Sequence, residues 1–88
     1  MEKLHELLIT SQKKIKIGAR YRHYKDPTKT YIVKCVGLFE DSLIPAVVYE
    51  AEYGARLTWI RKLDNFLEKV DVNTKKVPRF KLAVGKSS

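Results

Sequence analysis

The sequence predicts a mainly β fold: a small SH3-like barrel of about five strands, with a short N-terminal helix and one helical turn near residues 63–67. Two observations lead to this prediction. Runs rich in β-branched and aromatic residues recur at intervals of about ten residues, which is typical of small barrels and sandwiches. Residues that favour tight turns, such as Asp, Pro, Asn and Gly, separate these runs. An OB-like barrel is the second choice.

One domain accounts for the chain of 88 residues, and a domain of this size has a small core. We expect an N-terminal helix and a lead-in strand in residues 1–17, the barrel in residues 18–82 and a disordered tail in residues 83–88. The sequence contains no internal repeat and no low-complexity linker. No further domain boundary is therefore predicted.

The N-terminal helix is predicted over residues 2–11, because Leu4, Leu7 and Leu8 have helical i, i+3, i+4 spacing. A helix this short is marginal alone and becomes stable when it docks on the domain or on a partner. Lysine and isoleucine then alternate in residues 13–17. This alternation predicts the lead-in strand.

The first strand of the barrel is predicted over residues 19–24. A period of two places Tyr21 and His23 on one face and Arg22 and Tyr24 on the other. The first face is expected to point inward, where His23 would be a partly buried, satisfied histidine. The second face is expected to be available to a partner.

A turn at residues 26–29 precedes the clearest strand, residues 30–39. Val33 and Cys35 lie on the face of this strand that is expected to be buried, and Lys34 marks the exposed face. Cys35 is therefore expected to be a buried, inert thiol.

The second half of the chain predicts the remaining elements. Val47, Tyr49 and Ala51 alternate with Glu50 and Glu52, which indicates a strand with an apolar inner face. The other expected elements are a strand over residues 56–61, a helical turn over residues 63–67, and a strand pair around residues 73–75 that ends in residues 77–82.

The formal net charge is +8, from 18 Lys and Arg against 10 Asp and Glu. This balance favours anionic partners, with nucleic acid first. The middle of the chain is acidic, since residues 35–60 carry one Arg and four acids, whereas both ends are basic. Part of the positive charge is therefore expected to pair internally, through Arg20 or Arg22.

The sequence also indicates the cellular compartment. A single cysteine, Cys35, excludes an internal disulfide. No stretch approaches the ~20 apolar residues of a membrane span, and no apolar signal-peptide core follows Met1. We expect a cytoplasmic protein without a membrane partner.

Several motifs occur in one order along the chain: Tyr-Arg-His-Tyr-Lys at 21–25, Tyr31, Val-Val-Tyr at 47–49 with Tyr53-Gly54, Trp-x-Arg at 59–61, Leu63 with Phe66, and Val-Pro-Arg-Phe at 77–80. Together they resemble a small family of mostly bacterial proteins, the domain-of-unknown-function family sixteen-fifty-three (DUF1653). The resemblance covers roughly Gly18 to Leu82. It implies an SH3-like barrel and no established activity, cofactor or partner.

The chain departs from the pattern of that family in three places. Residues 26–30 replace a shorter Lys-Gly turn, residues 38–40 replace a polar segment, and Lys62 stands where a proline is usual. A family site that used the polar segment would be altered in this chain.

The residues give little support to metal binding or catalysis. His5, His23 and Cys35 are too few for a closed zinc site, and no ligand pair has useful local spacing. No metal and no cofactor are expected. His23 could act as a general base, with Tyr21 or Tyr24 as an acid. However, no nucleophile with a base and an orienting group is recognisable, so we do not expect an enzyme.

The aromatic and basic residues are the strongest functional candidates. Proteins that hold single strands combine rings for base stacking with Lys or Arg for the backbone charge. Trp59 and Arg61 share one face of a strand, and Arg79 lies beside Phe80. The candidate ligand-binding residues are Arg22, His23, Tyr24, Trp59, Arg61 and Arg79. The alternative is structural, with rings that build the core and arginines that stack over them.

The sequence therefore predicts a non-catalytic binding module with nucleic acid, either DNA or RNA, as the leading ligand. The alternative partner is a protein, bound as an extended peptide in an SH3-like groove. The acids of residues 40–52 would favour the peptide, because acids beside a groove repel phosphate.

Overall fold

Seven strands and two helices make up the part of the chain that the computed structural model describes, residues 2–83. The mainly β class, the short N-terminal helix and the helical turn near residues 63–67 are confirmed. The predicted disordered tail lies, except for Ala83, outside the described residues. The elements are α1 (Glu2–Lys13), β1 (Arg20–His23), β2 (Asp26–Leu38), β3 (Pro45–Ala51), β4 (Thr58–Lys62), α2 (Leu63–Leu67), β5 (Lys69–Val72), β6 (Lys75–Pro78) and β7 (Phe80–Leu82).

The strands form two sheets. Five of them make an antiparallel sheet in the order β4-β3-β2-β1-β7, and β5 pairs with β6 as a separate hairpin. The described strands do not close into a barrel. The SH3-like barrel is therefore not confirmed, although the number of strands in the main sheet matches the prediction.

The core lies on one face of the five-stranded sheet and is closed by α1 and α2. The rings of Phe66, from α2, and Phe80, from β7, stack in parallel with their centroids 4.0 Å apart. Tyr49 contacts both rings edge-on, and Tyr21 contacts Phe66 edge-on. Four of the nine residues in the buried core cluster are therefore aromatic, and such residues bury much apolar area each.

α1 docks on the sheet and completes the core. Leu8 packs against the core, Ser11 is 2% exposed, and Leu7 on the outer side is 38% exposed. The helix is two residues longer than predicted, because it continues to Lys13. A helix this short was expected to dock either on the domain or on a partner, and the structure shows that it docks on the domain.

The segment between α1 and β1 forms turns instead of the predicted lead-in strand, which is a correction to the sequence prediction. Gly18 has φ +86°, a backbone conformation that breaks an extended segment. The Lys16 N–H donates to the Tyr21 hydroxyl at 2.9 Å, and the Gly18 N–H donates to the Val33 carbonyl at 2.7 Å. These bonds hold Ile15 in the core, where it is 6% exposed.

Buried and exposed side chains alternate along β1 as predicted, but the turn after β1 comes earlier in the chain than the predicted residues 26–29. Tyr21 is buried and Arg22 exposed. The chain turns at residues 24–25, and β2 already begins at Asp26. The predicted turn residues form an irregularity in β2, where His23 pairs with Asp26 and Arg22 with Thr30. The Asp26 side chain accepts hydrogen bonds from the backbone N–H and hydroxyl of Thr28, which stabilises the distortion.

A second irregularity in β2 reverses the predicted position of Cys35. Val33 pairs with Tyr49 and Cys35 with Val48, so Lys34 is an extra residue on the β2 side. Such a β-bulge shifts the alternation by one residue. Val36 is consequently buried and Cys35 exposed. The predicted burial of Cys35 is wrong.

β3 alternates as predicted from Val47 onward, although Ala46 beside Val47 is also buried. Val47, Tyr49 and Ala51 are at most 4% exposed, while Glu50 and Glu52 lie on the outer face. The predicted strand over residues 56–61 is confirmed as β4, shifted toward its C-terminal end. The strand pair predicted near residues 73–75 is present as β5 and β6, and β7 joins the main sheet.

Within residues 2–83, no helix has the length and apolar character needed to cross a membrane.

Candidate functional site

Strands β1 to β4 and β7 surround a cleft of about 320 Å³ on the core side of the main sheet. Six of its ten lining residues carry aromatic rings, three are Lys or Arg, and one is acidic. We call it the aromatic cleft, and it is lined by His23, Lys25, Asp26, Lys29, Tyr31, Tyr49, Tyr53, Trp59, Arg61 and Phe80.

The rings of the aromatic cleft hold one another in place by edge-to-face contacts. The Tyr31 ring lies 5.6 Å from the Tyr49 ring, 5.6 Å from the Tyr53 ring and 5.9 Å from the Phe80 ring, at steep angles in each case. Each such pair contributes about 0.5–1.5 kcal/mol beyond its burial. Tyr31, Tyr49, Tyr53 and Phe80 therefore form a wall whose ring orientations are set by mutual contact.

Trp59 and Tyr53 are the rings that a ligand can reach. They are 47% and 36% exposed, whereas Tyr49 and Phe80 are 4% and 7% exposed. Trp59 pairs with Tyr49 across β3 and β4, so it lies on the inner face of the sheet at its edge. An edge position explains why an inward ring stays open to solvent.

Arg61 is a charged residue on the inner face, and its partners explain how that is tolerated. Its Nε donates to the Tyr49 hydroxyl at 3.1 Å, and its Nη1 donates to the Asn65 side-chain oxygen. The guanidinium carbon lies 5.3 Å from the centre of the Phe80 ring. Hydrogen bonds and the ring face together fix the plane of the cation.

The two lysines of the aromatic cleft come from the irregular start of β2 and the turn before it. Lys29 Nζ lies 4.9 Å from the centre of the Tyr53 ring and 3.7 Å from an Asp26 carboxylate oxygen. The Thr28 hydroxyl, which donates to Asp26, lowers the pKa of that carboxyl, with Lys29 adding to the effect. The cleft thus carries the cations of Lys25, Lys29 and Arg61 against one carboxylate.

The hydroxyls of Tyr31 and Tyr53 lie 2.7 Å apart and share a hydrogen bond. Burial, followed by the hydrogen bond to Tyr53, raises the pKa of Tyr31 to about 12. Tyr31 therefore stays a neutral phenol at physiological pH, and its hydroxyl positions the more exposed Tyr53.

His23 lies between the aromatic cleft and the outside of β1. Its Nδ1 accepts a hydrogen bond from the Lys25 backbone N–H at 3.1 Å, and its ring packs edge-on against Phe80 at 4.9 Å. Burial, together with the charges of Arg61, Arg79 and Lys25, lowers the pKa of His23. The imidazole is therefore neutral at physiological pH, and one nitrogen is already engaged in holding the turn.

A second groove, of about 570 Å³, lies on the other side of His23. Arg22 and Lys81, which are cross-strand partners, supply its charge. The Arg22 Nη1 donates to the Pro27 carbonyl at 2.8 Å. We call this the proline groove, and it is lined by Arg22, His23, Tyr24, Pro27, Val77, Pro78, Lys81, Leu82 and Ala83.

Arg79 lies beneath the site and lines neither cleft. Its Nε donates to the Asn65 carbonyl at 3.0 Å, its Nη2 contacts the Glu68 carboxylate at 3.0 Å, and its side chain is 20% exposed. Arg79 therefore joins α2 to the segment before β7.

The six predicted candidates are thus divided by the fold. Trp59, Arg61 and His23 line the aromatic cleft, while Arg22 and Tyr24 line the proline groove with His23 between them. Sequence reasoning missed Lys25, Asp26, Lys29 and Tyr53. The first three enter the cleft through the turn and the irregular pairing at the start of β2, and Tyr53 enters it from the connection between β3 and β4. The motif Tyr53-Gly54 and the turn residues Asp26-Pro27 were the available signals.

Glu50 of β3 and Glu52, which follows this strand, lie on the opposite face of the sheet from the aromatic cleft. Glu52 contacts Arg20 at 2.6 Å, and Glu50 contacts Lys34 at 3.3 Å and Arg56 at 3.4 Å. Arg20, one of the two arginines expected to pair internally, does so, whereas Arg22 does not pair with these acids. The acids are consequently neutralised and do not border the aromatic cleft.

In residues 2–83 no three His, Cys, Asp or Glu side chains are grouped so that they could hold a metal ion. The cations and rings of the aromatic cleft suit an anionic, planar ligand instead.

Comparison with known proteins identifies relatives of the chain. A family model described as a protein of unknown function, DUF1653, matches residues 19–82. The crystal structure of a DUF1653 protein from Bordetella bronchiseptica is similar, with a TM-score of 0.69 and 29% identity, over 86% of this chain and 95% of that chain. A comparison with curated proteins gives no match. That the individual motifs are signatures of this family stays a prediction.

Proposed function

The chain belongs to DUF1653, a family of proteins of unknown function, and from this premise we propose that it is a non-catalytic module that binds single-stranded nucleic acid in the aromatic cleft. One observation carries the proposal: the exposed rings of Trp59 and Tyr53 border the same cleft as Lys25, Lys29 and Arg61. Proteins that hold single strands combine such rings with cations that track the phosphates.

In this proposal one base stacks on Trp59. The ring is half exposed and stands on the inner face next to Tyr49, so an incoming base covers it without displacing the core. Stacking of this kind contributes about 1–3 kcal/mol per base and tolerates any sequence.

The phosphates contact the lysines at the irregular start of β2. Lys25 and Lys29 are exposed, and Lys29 already lies over Tyr53. Arg61 is held by Tyr49 and Asn65, so it offers a cation at a fixed position in the cleft. The bridged acids Glu50 and Glu52, which the sequence suggested would repel phosphate, lie behind the sheet and do not oppose this contact.

A single strand fits better than a duplex, because a cleft of about 320 Å³ receives one base that has left its stack. Bases of a duplex are hidden from a concave surface of this size, whereas single strands present their faces and edges.

We place the protein in the cytoplasm, because a chain with a single cysteine needs no oxidising compartment.

The test uses the single tryptophan of the chain as its own probe. Titration with unlabelled single-stranded DNA and RNA homopolymers should quench Trp59 fluorescence, and duplexes of the same length should quench it less. Binding followed by anisotropy of labelled strands should weaken steeply with salt, since contacts to phosphates release counterions. Absence of binding to every single strand at low salt would sink the proposal.

Substitutions separate the two contributions. Trp59→Ala should weaken binding by about 5–150-fold, the loss of one stacking contact of about 1–3 kcal/mol. The pair Lys25→Glu and Lys29→Glu should lower both the affinity and its salt dependence. Lys75→Glu with Lys76→Glu, on the β5–β6 hairpin, makes the same charge change away from the cleft and serves as the matched control. Equal losses in both pairs would show that only net charge matters.

The non-catalytic part of the proposal has its own test. His23 holds a turn through its Nδ1 and stands against Phe80, which are structural roles. An activity in a general hydrolase and transferase screen that disappears in His23→Ala, with folding retained, would replace the binding module by an enzyme.

The proline groove supports a second candidate, the binding of an extended peptide. Tyr24, Pro27 and Pro78 give it ring and proline walls, and Arg22 and Lys81 give it positive charge, so the peptide would be acidic. A Tyr24→Ala variant separates the two candidates: it should abolish peptide binding and leave the quenching of Trp59 by single strands unchanged.

A further inference from the structure

We propose that β4 pairs antiparallel with β4 of a second copy of this chain, centred on Ile60, and that Trp59 of the partner subunit thereby borders the aromatic cleft. This inference does not rest on the nucleic-acid proposal. In the described sheet β4 ends the order β4-β3-β2-β1-β7 and pairs with β3 on one side. Its apolar side chains, and that of Leu57 just before it, are open: Leu57 is 54% exposed, Trp59 47% and Ile60 60%.

The backbone of β4 directs hydrogen-bonding groups toward the open edge at Thr58 and Ile60 and through the Lys62 N–H, since the Lys62 carbonyl caps α2. The Ala51 N–H donates to the Leu57 carbonyl at 2.9 Å, and the register continues from there to Ala46 opposite Lys62. In an antiparallel pair, residues that bond to one neighbour alternate with residues that point to the other side. Trp59 and Arg61 therefore bond to β3, and the three residues between and beside them face the edge.

The charges of β4 select the register. Antiparallel pairing centred on Ile60 sets Thr58 against Lys62 of the partner subunit and Trp59 against Arg61 of the partner subunit. No two like charges then face each other, and each cross-strand Trp59–Arg61 pair is a ring with a cation, a favourable pairing. Parallel pairing in register would instead oppose arginine to arginine and lysine to lysine. Because β4 is complementary to itself in this register, we take a second copy of the chain as the partner of the open edge.

The pairing changes the aromatic cleft. Arg61 already lines it, and the position opposite Arg61 across the new interface is Trp59 of the partner subunit. That ring would lie on the inner face of the joined sheets, beside the guanidinium that Tyr49 and Asn65 hold in place. Two clefts would face the same side of a continuous ten-stranded sheet, each with a tryptophan from both copies at its border.

The test combines oligomeric state with a register-specific cross-link. Sedimentation equilibrium over a range of concentrations should show a reversible dimer. In a Cys35→Ser background, Ile60→Cys places the two cysteines about 5.5 Å apart between Cα atoms, within the range of a disulfide. Lys62→Cys is the matched control on the same strand and face, because the two copies of that position lie about 13 Å apart in this register. Under mild oxidation the Ile60→Cys chain should dimerise covalently about tenfold faster than the control.

A second variant addresses the backbone bonds. Ile60→Pro removes an outward N–H and leaves the bonds between β3 and β4 in place, so it should fold, as judged by circular dichroism, and sediment as a monomer. A chain that stays monomeric at every concentration, a dimer that Ile60→Pro does not weaken, or equal cross-linking rates for the two cysteine variants would each overturn the proposal. An unfolded Ile60→Pro chain leaves the decision to the cysteine pair.

Discussion

Arg61 shows how one side chain can satisfy both the core and the cleft of a small domain. A guanidinium on the inner face of a sheet needs partners for its donors, because an unpaired buried charge is costly. The Tyr49 hydroxyl, the Asn65 amide and the face of Phe80 supply them. The same contacts fix its plane toward the aromatic cleft. Lysine at this position would keep the charge and lose the planar geometry.

Glu52 makes the stability of the domain sensitive to acid. Its carboxylate accepts hydrogen bonds from the Arg20 guanidinium at 2.6 Å and from the Thr30 hydroxyl at 2.6 Å. The Arg20 hydrogen bond, opposed by partial burial and reinforced by Thr30, lowers the pKa of Glu52 from 4.5 to about 2. Because the folded pKa is the lower one, this stabilisation is complete above about 4.5 and is lost as the pH falls through about 2.

We therefore predict that Glu52→Gln lowers the free energy of unfolding at neutral pH and flattens its decline between about pH 4.5 and 2. Urea unfolding at a series of pH values measures both effects. Arg20→Gln, which removes the donor, should flatten the same region. If the free energy of unfolding of both variants declined with falling pH as it does in the original chain, the Arg20–Glu52 pair would not set the acid sensitivity.

At the scale of elements, the bulge of β2 decides which side chains reach the core. An extra residue at Lys34 moves Val36 inward and Cys35 outward, and nothing in the local alternation of apolar residues indicated it. We predict that the Cys35 thiol of the native protein reacts with a thiol reagent without prior unfolding. Reaction with an aromatic disulfide reagent, with and without denaturant, is the measurement. A thiol that reacts only in denaturant would restore the original prediction of a buried cysteine.

The turn between β5 and β6 stores backbone strain. Asn73 and Thr74 have φ of 51° and 67°, the left-handed conformation of a tight hairpin turn, which suits Asn-Gly. A β-branched residue is disfavoured there. Thr74→Gly should raise the free energy of unfolding by about 0.5–1 kcal/mol. Thr58→Gly, in the extended strand β4, is the control and should lower it. Destabilisation by both substitutions would mean that the Thr74 hydroxyl, which donates to the Asn73 carbonyl, outweighs the strain.

At the scale of the whole molecule, the domain extends beyond the segment that the family model matches. That match begins at residue 19, yet Leu8 of α1 packs against the core and Ser11 is buried. The helix therefore belongs to the folding unit of this chain. A small domain has few other sources of buried area.

Deletion of residues 1–13 should therefore lower the free energy of unfolding by about 2–4 kcal/mol, the loss of one to two buried aliphatic side chains. Chemical denaturation followed by far-UV circular dichroism gives this value. Leu8→Ala should reproduce part of the loss, and Leu7→Ala, whose side chain is more exposed, should change little. Unchanged stability after the deletion would make α1 an appendage of the domain.

The distribution of charge is also decided at this scale. The acids of β3 are bridged to Arg20, Lys34 and Arg56 on one face. The cations of the aromatic cleft lie on the other. The two faces differ because successive residues of a strand point to opposite sides of the sheet. The acids of the outer face are thus paired with cations, whereas the aromatic cleft on the inner face holds three cations against one carboxylate.

Where a strand is regular, the sequence predicted which side chains of the site share a face. Trp59 and Arg61 were placed on one face from their spacing, and Tyr49 was placed inward from its alternation. Lys25, Lys29 and Tyr53 were not foreseen, because their positions follow from irregular pairing and from a turn. Arg22 and Tyr24 were expected at the same site as Trp59, and the two strands carry them to different clefts.

By itself the sequence determined the mainly β class, the helix at its start, the helical turn at Leu63–Leu67, and the family. These depend on local periodicity and residue type, which each segment carries on its own. Tertiary structure alone decided the open sheet, the exposed Cys35, and the meeting of Trp59, Tyr53 and the three cations in one cleft. They depend on strand register, which a single extra residue changes and which is fixed only when distant strands pair across the core.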